Sequence, residues 1–274
     1  MNAAPHDNQQ LRELFTLPPI QASASTALAV PEMPPQETVT GDREVDAVLW
    51  LQKVVKTGHQ ALIDKALEAR KRIKTPMKTL AVRYARHVAV KTGSTFAAAF
   101  STFNFGELED QAKAAIQKAA RRHEALSRFG DQENLFSATP AEKACVKALH
   151  GLKRRREFGD YPKTEAATRF AKAAALTPTS ISDCLHVFAY WNKLYWLRNA
   201  CVDMGSDSPQ QAWAHDDYCF GFLASIPPRD AREALAALEY VLDEGRDDRK
   251  EGPAILRNLV LSGWDCAALP TARL

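Results

Sequence analysis

The chain has 274 residues, of which 46% are hydrophobic and 25% are charged, and its formal net charge at pH 7 is +3. This composition is that of a globular protein with a packed core, and it excludes a chain that is disordered throughout. The most apolar stretch, residues 187–202, is interrupted by Asn192, Lys193, Arg198 and Asn199, so we expect no transmembrane helix.

Residues 1–41 have the composition of a flexible tail. They contain six of the fifteen prolines, many Ser, Thr, Ala and Gln residues, and no periodic apolar pattern. Because such a segment has little to bury, we predict a disordered Pro/Ser/Thr-rich tail over residues 1–41. Residues 11–15, with the sequence Leu-Arg-Glu-Leu-Phe, allow an alternative, a short docking segment that folds on a partner.

From Asp42 onward the apolar residues recur at helical spacing, and strand alternation is hard to find. Asn104, Thr139 and Asp230 are capping acceptors that each lie three residues before a Glu, which is typical of a helix start. The pattern predicts an all-α fold, a multi-helix bundle of antiparallel helices. The predicted helices are 43–56, 59–73, 76–91, 95–103, 106–128, 140–150, 163–175, 180–204, 209–225, 230–243 and 250–262.

One predicted helix differs from the rest because it is apolar on nearly every side. Residues 181–197 include Phe188, Tyr190, Trp191, Tyr195 and Trp196. A helix of this kind is normally surrounded by others, so we expect it at the centre of the C-terminal half. The aromatic side chains are interpreted as core and helix contacts rather than as a cofactor site.

The overall charge hides an uneven distribution. Residues 42–156 contain 23 Lys and Arg against 12 Asp and Glu, residues 157–274 contain 12 against 17, and residues 1–41 contain 1 against 4. This division predicts a basic helical half over 42–156 and an acidic helical half over 157–274, which could also form one domain together.

The densest basic residues are candidates for contact with a polyanion or a partner. They are Arg70, Lys71, Arg72, Lys74, Lys153, Arg154, Arg155 and Arg156. Three interpretations stay open: a solvated helical face, a nucleic-acid contact, and a contact with a protein or an anionic membrane surface. The basic half could also meet the acidic half of the same chain.

The sequence contains none of the common phosphate-binding, serine-nucleophile or zinc-protease motifs. The one polar cluster that could bind a metal or act as a general base is His215, Asp216 and Asp217, with His186 and Asp183 on the preceding helix as possible companions. Adjacent helical residues point in different directions, so a buried, hydrogen-bonded His or a surface ion pair with Arg198 or Lys193 is the competing interpretation. We predict no catalytic, cofactor-binding or metal-binding residues.

The five cysteines do not suggest a bound metal or a disulfide framework. They are odd in number and include no Cys-x-x-Cys pair. Cys145, Cys184, Cys201 and Cys219 lie in apolar helical stretches, where a free thiol behaves as a small hydrophobic side chain. Residues 1–7 lack a basic segment followed by an apolar one. We therefore expect a cytoplasmic protein with reduced thiols.

Three stretches resemble the KilA (KlaA) family, which is encoded in the tellurite-resistance operon of broad-host-range conjugative plasmids. They are residues 57–69, 189–195 and 226–235. The resemblance implies a cytoplasmic plasmid protein that acts with other products of its operon in tellurite resistance and in host or plasmid interference. It implies no catalytic residues.

Taken together, these patterns lead to one function and two alternatives. The first is a non-enzymatic helical interaction protein of a plasmid or stress-resistance operon, which binds a protein partner. The second is a nucleic-acid-binding regulator that uses the basic half. The third is a metal- or thiol-dependent enzyme, for which Cys184 and His215 are the residues to test.

Overall fold

The structure is a computed structural model that describes residues 6–21, 31–154, 159–202 and 205–261. The regular structure in these ranges is helical, with no strand among them, which confirms the predicted all-α bundle. Within the same ranges, no helix combines the length and the apolar character needed to span a bilayer.

The chain separates into two compact units. Unit 1 contains the described parts of Met1–Pro19 and Gln132–Leu274, and unit 2 contains those of Ile20–Asp131. Charge composition had suggested a division at residue 156 instead. Counted by unit, the sequence has 17 basic and 12 acidic residues in unit 2, and 19 basic and 21 acidic residues in unit 1. The difference arises because units form around continuous cores, while surface charge does not define a core.

Unit 2 consists of five helices around two small apolar clusters. These helices are α2 (Arg43–Val55), α3 (Gln60–Arg70), α4 (Met77–Thr92), α5 (Thr95–Ser101) and α6 (Leu108–Phe129). One cluster joins α2, α3 and α6 through Val55, Ile63 and Leu108. The other joins α2 and α4 through Val48 and Leu80. Helix α2 therefore contributes to both clusters.

Unit 1 is built around one buried helix. The unit contains α1 (Gln9–Leu14), α7 (Gln132–Phe136), α8 (Pro140–Ala148), α9 (Lys163–Phe170), a 3₁₀ helix (Ala174–Leu176), α10 (Ile181–Ala200), α11 (Gln210–Phe222), α12 (Ala231–Asp243) and α13 (Gly252–Leu261). Helix α10 has buried residues on all sides, including Val187, Tyr190, Trp191 and Leu194. Its predicted central position is confirmed: it packs against α1, α11 and α12.

The N-terminal segment is folded where the composition suggested a disordered tail. Helix α1 buries Leu11 completely, and Phe15 is 1% exposed. The ring of Phe15 contacts Tyr190 and Trp191 edge to face, with both centroid distances 5.4 Å, and stacks on His215 at 4.9 Å. The docking segment considered for residues 11–15 thus folds on its own chain. Residues 1–5 and 22–30 of the predicted tail lie outside the described residues.

Polar contacts hold the same segment in one position. The carboxylate of Asp183 accepts hydrogen bonds from the Asn8 backbone amide at 2.9 Å and from Arg12 Nε at 2.8 Å. Asp7 forms ion pairs with Arg12 and Arg229, both at 3.0 Å. Burial alone would raise the pKa of Asp183, but the hydrogen bonds from Arg12, Asn8 and Thr179 lower the pKa of this carboxyl overall.

Two of the three predicted helix starts form the expected caps. Thr139 and Glu142 form a complete capping box, and Asp230 accepts a hydrogen bond from the Glu233 amide at 2.8 Å. The start predicted at Asn104 is wrong, because Asn104 has φ +58° and helix α6 begins four residues later without a side-chain cap. Its left-handed backbone makes Asn104 part of a turn.

Candidate interaction surface

Helices α4 and α5 form a hairpin in unit 2 and pack closely against each other. The chain reverses at Gly93, whose φ of +67° lies in the left-handed region that glycine adopts most easily. Ser94 then caps α5 by accepting a hydrogen bond from the Ala97 amide at 3.1 Å. The local sequence therefore fixes both the end of α4 and the direction of α5.

Helix α5 and the turn after it expose three phenylalanine side chains. Phe96 is 72% exposed, Phe100 is 64% exposed and Phe103 is 78% exposed. The rings of Phe96 and Phe100 contact each other, with centroids 4.4 Å apart. We call these three residues the phenylalanine surface. Exposed apolar side chains that lie together usually mark a binding site, whereas single exposed ones have no special meaning.

The exposure of Phe103 is a consequence of the turn that follows α5. Two residues later Phe105 is buried and stacks on Tyr84, with ring centroids 5.5 Å apart. The turn requires left-handed backbone at Asn104 and Gly106, and a Cβ at Gly106 would lie 2.9 Å from Met77 Cγ. The turn thus directs one phenylalanine into the core of unit 2 and leaves the other in solvent.

Helix α4, the other arm of the hairpin, carries a mixed strip of exposed residues. Val82, Arg86 and Val90 follow each other at intervals of four residues and are all exposed. Residues four apart lie on one helix face. An arginine therefore separates two exposed valines along this strip, and the strip offers both apolar contact and positive charge.

The hairpin lies in a long stretch without acidic residues. Between Glu68 and Glu107 the sequence has eight basic residues and no Asp or Glu. Arg83 forms ion pairs with Asp42 at 3.3 Å and Glu44 at 3.6 Å. Within the described ranges, Lys78, Arg86 and Lys91 on α4 form no ion pair. The charged side chains that the hairpin itself carries are therefore all positive.

The predicted polyanion contacts are divided between the two units. Arg70, Lys71, Arg72 and Lys74 lie at the end of α3 and just after it, in unit 2, and Lys71 pairs with Glu68 at 2.6 Å. Lys153 and Arg154 follow α8 in unit 1. Arg155 and Arg156 lie outside the described residues.

The predicted polar cluster has three separate sets of partners. His186 Nε2 lies 3.3 Å from the Arg12 carbonyl oxygen, and Asp216 accepts a hydrogen bond from Arg246 at 2.7 Å. His215 is completely buried, and its Nε2 lies 2.8 Å from the Leu176 carbonyl oxygen. Burial lowers the pKa of His215 to about 4, and the bond to Leu176 opposes this only in part.

This geometry matches the competing interpretation of His215 as a buried, hydrogen-bonded side chain. The ring is stacked on Phe15 and contacts Phe170 edge to face at 5.0 Å. Within the described ranges, no three His, Cys, Asp or Glu side chains lie close enough together to hold a metal ion. The structure therefore does not bring His186, His215 and Asp216 together as one site.

The described cysteines are free thiols, and three of them are buried: Cys145, Cys184 and Cys219. Burial raises the pKa of each of these thiols. Cys219 Sγ lies 3.8 Å from both ring nitrogens of His215. Because the raised pKa values favour the protonated thiol over the thiolate, these residues have the character of small hydrophobic side chains, as predicted.

The phenylalanine surface was missed by sequence reasoning. Phe96, Phe100 and Phe103 recur at spacings of four and three residues, which is the pattern of a buried helix stripe. The one available signal was their position in the stretch without acidic residues. That signal indicates charge but says nothing of whether an apolar stripe is covered.

Comparison of the chain with known protein-family models, with curated proteins and with solved structures found no match.

Proposed function

We propose that this chain is a non-enzymatic interaction protein that binds an acidic, amphipathic segment of a protein partner through the hairpin of α4 and α5. The observation that carries the proposal is the phenylalanine surface. Three large apolar side chains are exposed in a stretch whose charged residues are all basic. Aromatic side chains and arginine are the residues most enriched at protein interfaces. The positive field of the hairpin selects a partner segment of the opposite sign.

The mixed strip on α4 favours a protein partner over a lipid surface. Helices that lie in a membrane interface separate an apolar face from a charged one. On α4 the exposed Val82, Arg86 and Val90 share one face, so inserting the valines would carry the guanidinium into the apolar layer. At a protein interface the same arrangement lets Arg86 pair with a partner carboxylate between two apolar contacts.

A nucleic-acid-binding regulator is the second candidate function, and the eight basic residues between Glu68 and Glu107 favour it. Duplex DNA offers phosphates to these cations, but it offers little to three exposed phenylalanine rings. The two candidates therefore predict different residues as essential: cations alone for DNA, and cations together with Phe96 and Phe100 for a protein.

The cellular setting forms part of the proposal. The resemblance of residues 57–69, 189–195 and 226–235 to the KilA family supports a plasmid or stress-resistance operon, with tellurite resistance or host interference as the process. It also supports a cytoplasmic location and a partner encoded in the same operon.

The test starts with a photo-crosslinking residue at position 100, and with a control residue at position 136, where Phe136 is also exposed but belongs to unit 1. A protein captured at position 100 alone is then purified and titrated against the full chain. We expect the double variant Phe96→Ala with Phe100→Ala to weaken binding by about 30-fold or more. We also expect Arg86→Ala to weaken it and to reduce its salt dependence.

Three results would contradict the proposal. The first is that no protein is captured at position 100. The second is that the purified protein binds the double variant as tightly as the unchanged chain. The third is that duplex DNA, or vesicles containing phosphatidylglycerol, bind the chain with a dependence on Phe96 and Phe100 that the captured protein lacks.

A further inference from the structure

Unit 1 contains an open cleft of about 490 Å³ between α10, α11 and α12. This volume is within the range of small-molecule sites in proteins. Six aromatic side chains line it: Phe188, Trp191, Tyr195, Trp196, Trp213 and Tyr240. Three of the five tryptophans of the chain are among them.

The helices present these rings in a regular way. Trp191 and Tyr195 lie four residues apart on one face of α10, and Trp196 lies on the adjacent face and also lines the cleft. Trp213 lies on α11 and donates a hydrogen bond from Nε1 to the Ser208 carbonyl oxygen at 3.1 Å. Trp213 is 46% exposed and Trp196 is 44% exposed. Large aromatic rings therefore remain open to solvent at the cleft although α10 is otherwise a core helix.

The charged groups of the cleft are mostly acidic. Asp207, Asp216 and Glu244 line it, together with the one cation Arg246. Asp216 is buried and paired with Arg246 at 2.7 Å. Within the described ranges, neither Asp207 nor Glu244 forms an ion pair. The lining of the cleft therefore carries three carboxylates against one cation.

Arg246 shows what kind of group this environment stabilises. Its guanidinium carbon lies 5.2 Å from the ring centroid of Tyr240 and 5.6 Å from that of Phe188. Contacts of this kind are cation–π interactions, in which the negative face of an aromatic ring attracts a cation. The chain thus already holds one of its own organic cations between aromatic rings and a carboxylate at one side of the cleft.

We propose that the remaining part of the cleft binds an organic cation, an alkylated ammonium group, between the exposed tryptophan rings and the carboxylates of Asp207 and Glu244. Aromatic cages are the known solution for quaternary ammonium groups, because such groups are charged but hydrogen-bond poorly. The excess of carboxylates over cations in the lining favours a cation over an anion or a neutral ligand. This site lies in unit 1 and is independent of the hairpin surface in unit 2.

The test is a titration of the full chain with choline, in which tryptophan fluorescence and calorimetry measure binding. Its matched control is neopentyl carbinol, the uncharged isostere in which carbon replaces the nitrogen of choline. We expect choline to bind at least ten-fold more tightly than this isostere, and benzoate not to bind. A peptide with a trimethylated lysine forms a second arm, and tighter binding of the peptide than of choline assigns the cation to a protein side chain.

Variants locate the binding site. Trp213→Ala and Glu244→Gln change exposed side chains and are expected to weaken choline binding by several-fold to about 30-fold. Trp50→Phe is the control, since Trp50 belongs to unit 2 and donates its Nε1 hydrogen bond to the Pro34 carbonyl oxygen. It should leave the choline affinity unchanged. Circular dichroism verifies that each variant is folded.

Equal affinity for choline and neopentyl carbinol would overturn the proposal, because it would show an apolar cleft without charge recognition. Unchanged choline binding by folded Trp213→Ala and Glu244→Gln would overturn it as well. So would the absence of binding by both choline and the trimethyl-lysine peptide.

Discussion

Arg198 on α10 and Glu142 on α8 form a bidentate ion pair inside unit 1. Arg198 Nη1 lies 2.6 Å from Glu142 Oε1, and Nη2 lies 3.0 Å from Oε2. Arg198 also donates hydrogen bonds from Nε to the Leu135 carbonyl oxygen and from Nη2 to the Ser137 carbonyl oxygen. Burial alone would raise the pKa of Glu142, but Arg198 and Thr139 lower it overall. The pair is thus charged and almost fully hydrogen-bonded.

Arg198→Met is expected to destabilise the folded chain by about 3–5 kcal/mol, because it leaves the carboxylate of Glu142 buried without its partner. The free energy of unfolding in urea measures this loss. Arg72→Met, at an exposed position in unit 2, is the control and should change stability by less than about 0.5 kcal/mol. A small effect of Arg198→Met would show that the pair contributes little.

Phe15→Ala is expected to release α1 from unit 1. The ring lies between Tyr190, Trp191 and His215, so its removal should lower the free energy of unfolding by about 3–5 kcal/mol. Hydrogen exchange at the amides of Arg12 and Phe15 should become faster. Phe103→Ala is the matched control, because Phe103 is largely exposed. Equal losses from the two substitutions would contradict the packing of Phe15.

His215 gives a pH dependence whose direction follows from its lowered pKa. The folded pKa is about 4 and the usual value is 6.5, so between these values the unfolded chain binds a proton that the folded chain does not. Stability therefore decreases as the pH falls from about 6.5 towards 4, by about 3 kcal/mol for this group.

The measurement compares the unchanged chain with His215→Gln in urea at a series of pH values. The difference between the two free energies of unfolding should vary over this interval and be constant above about pH 7. A constant difference over the whole range would show that His215 is not buried in its neutral form.

Two glycines of unit 2 provide a matched pair of substitutions. Both Gly58 and Gly93 have positive φ, at +69° and +67°. A Cβ at Gly93 meets nothing within 4 Å, whereas one at Gly58 lies 2.8 Å from the Ala115 carbonyl oxygen and 2.9 Å from Ala119 Cβ. Gly93→Ala should cost about 1–2 kcal/mol for backbone conformation alone. Gly58→Ala should cost about 2–4 kcal/mol, since α6 must also move. Urea unfolding measures the free energy of unfolding of the two variants. Equal losses in both would contradict the close approach of Gly58 to α6.

Most helices could be predicted from the sequence because residues close to each helix end determine where the helix begins or ends. Thr139 and Asp230 cap the helices that they were predicted to start, and the apolar spacing between such caps has helical period. The burial of α10 could also be predicted, since apolar residues occur on every side of it. These signals depend only on residues that are near each other in the chain.

Helix α1 could not be predicted from the sequence because its partners are distant along the chain. Asn8 and Asp183, which form a hydrogen bond, are 175 residues apart. Nothing in the Pro-rich composition around Leu11 and Phe15 indicates an acceptor groove. The cleft was not predicted for a related reason. Trp196 and Trp213 each belong to a helix with apolar periodicity, and periodicity does not distinguish a buried ring from an exposed one.

The position of α1 constrains how the chain can fold as it is synthesised. The groove that receives Leu11 and Phe15 is formed by residues beyond 170, and the whole of unit 2 lies between them in the sequence. Because synthesis proceeds from the N-terminus, the ribosome releases all of unit 2 before the groove exists. The apolar side chains of helix α1 therefore stay uncovered until α10 and α11 have been synthesised. Closing this connection carries the entropy cost of a very long loop.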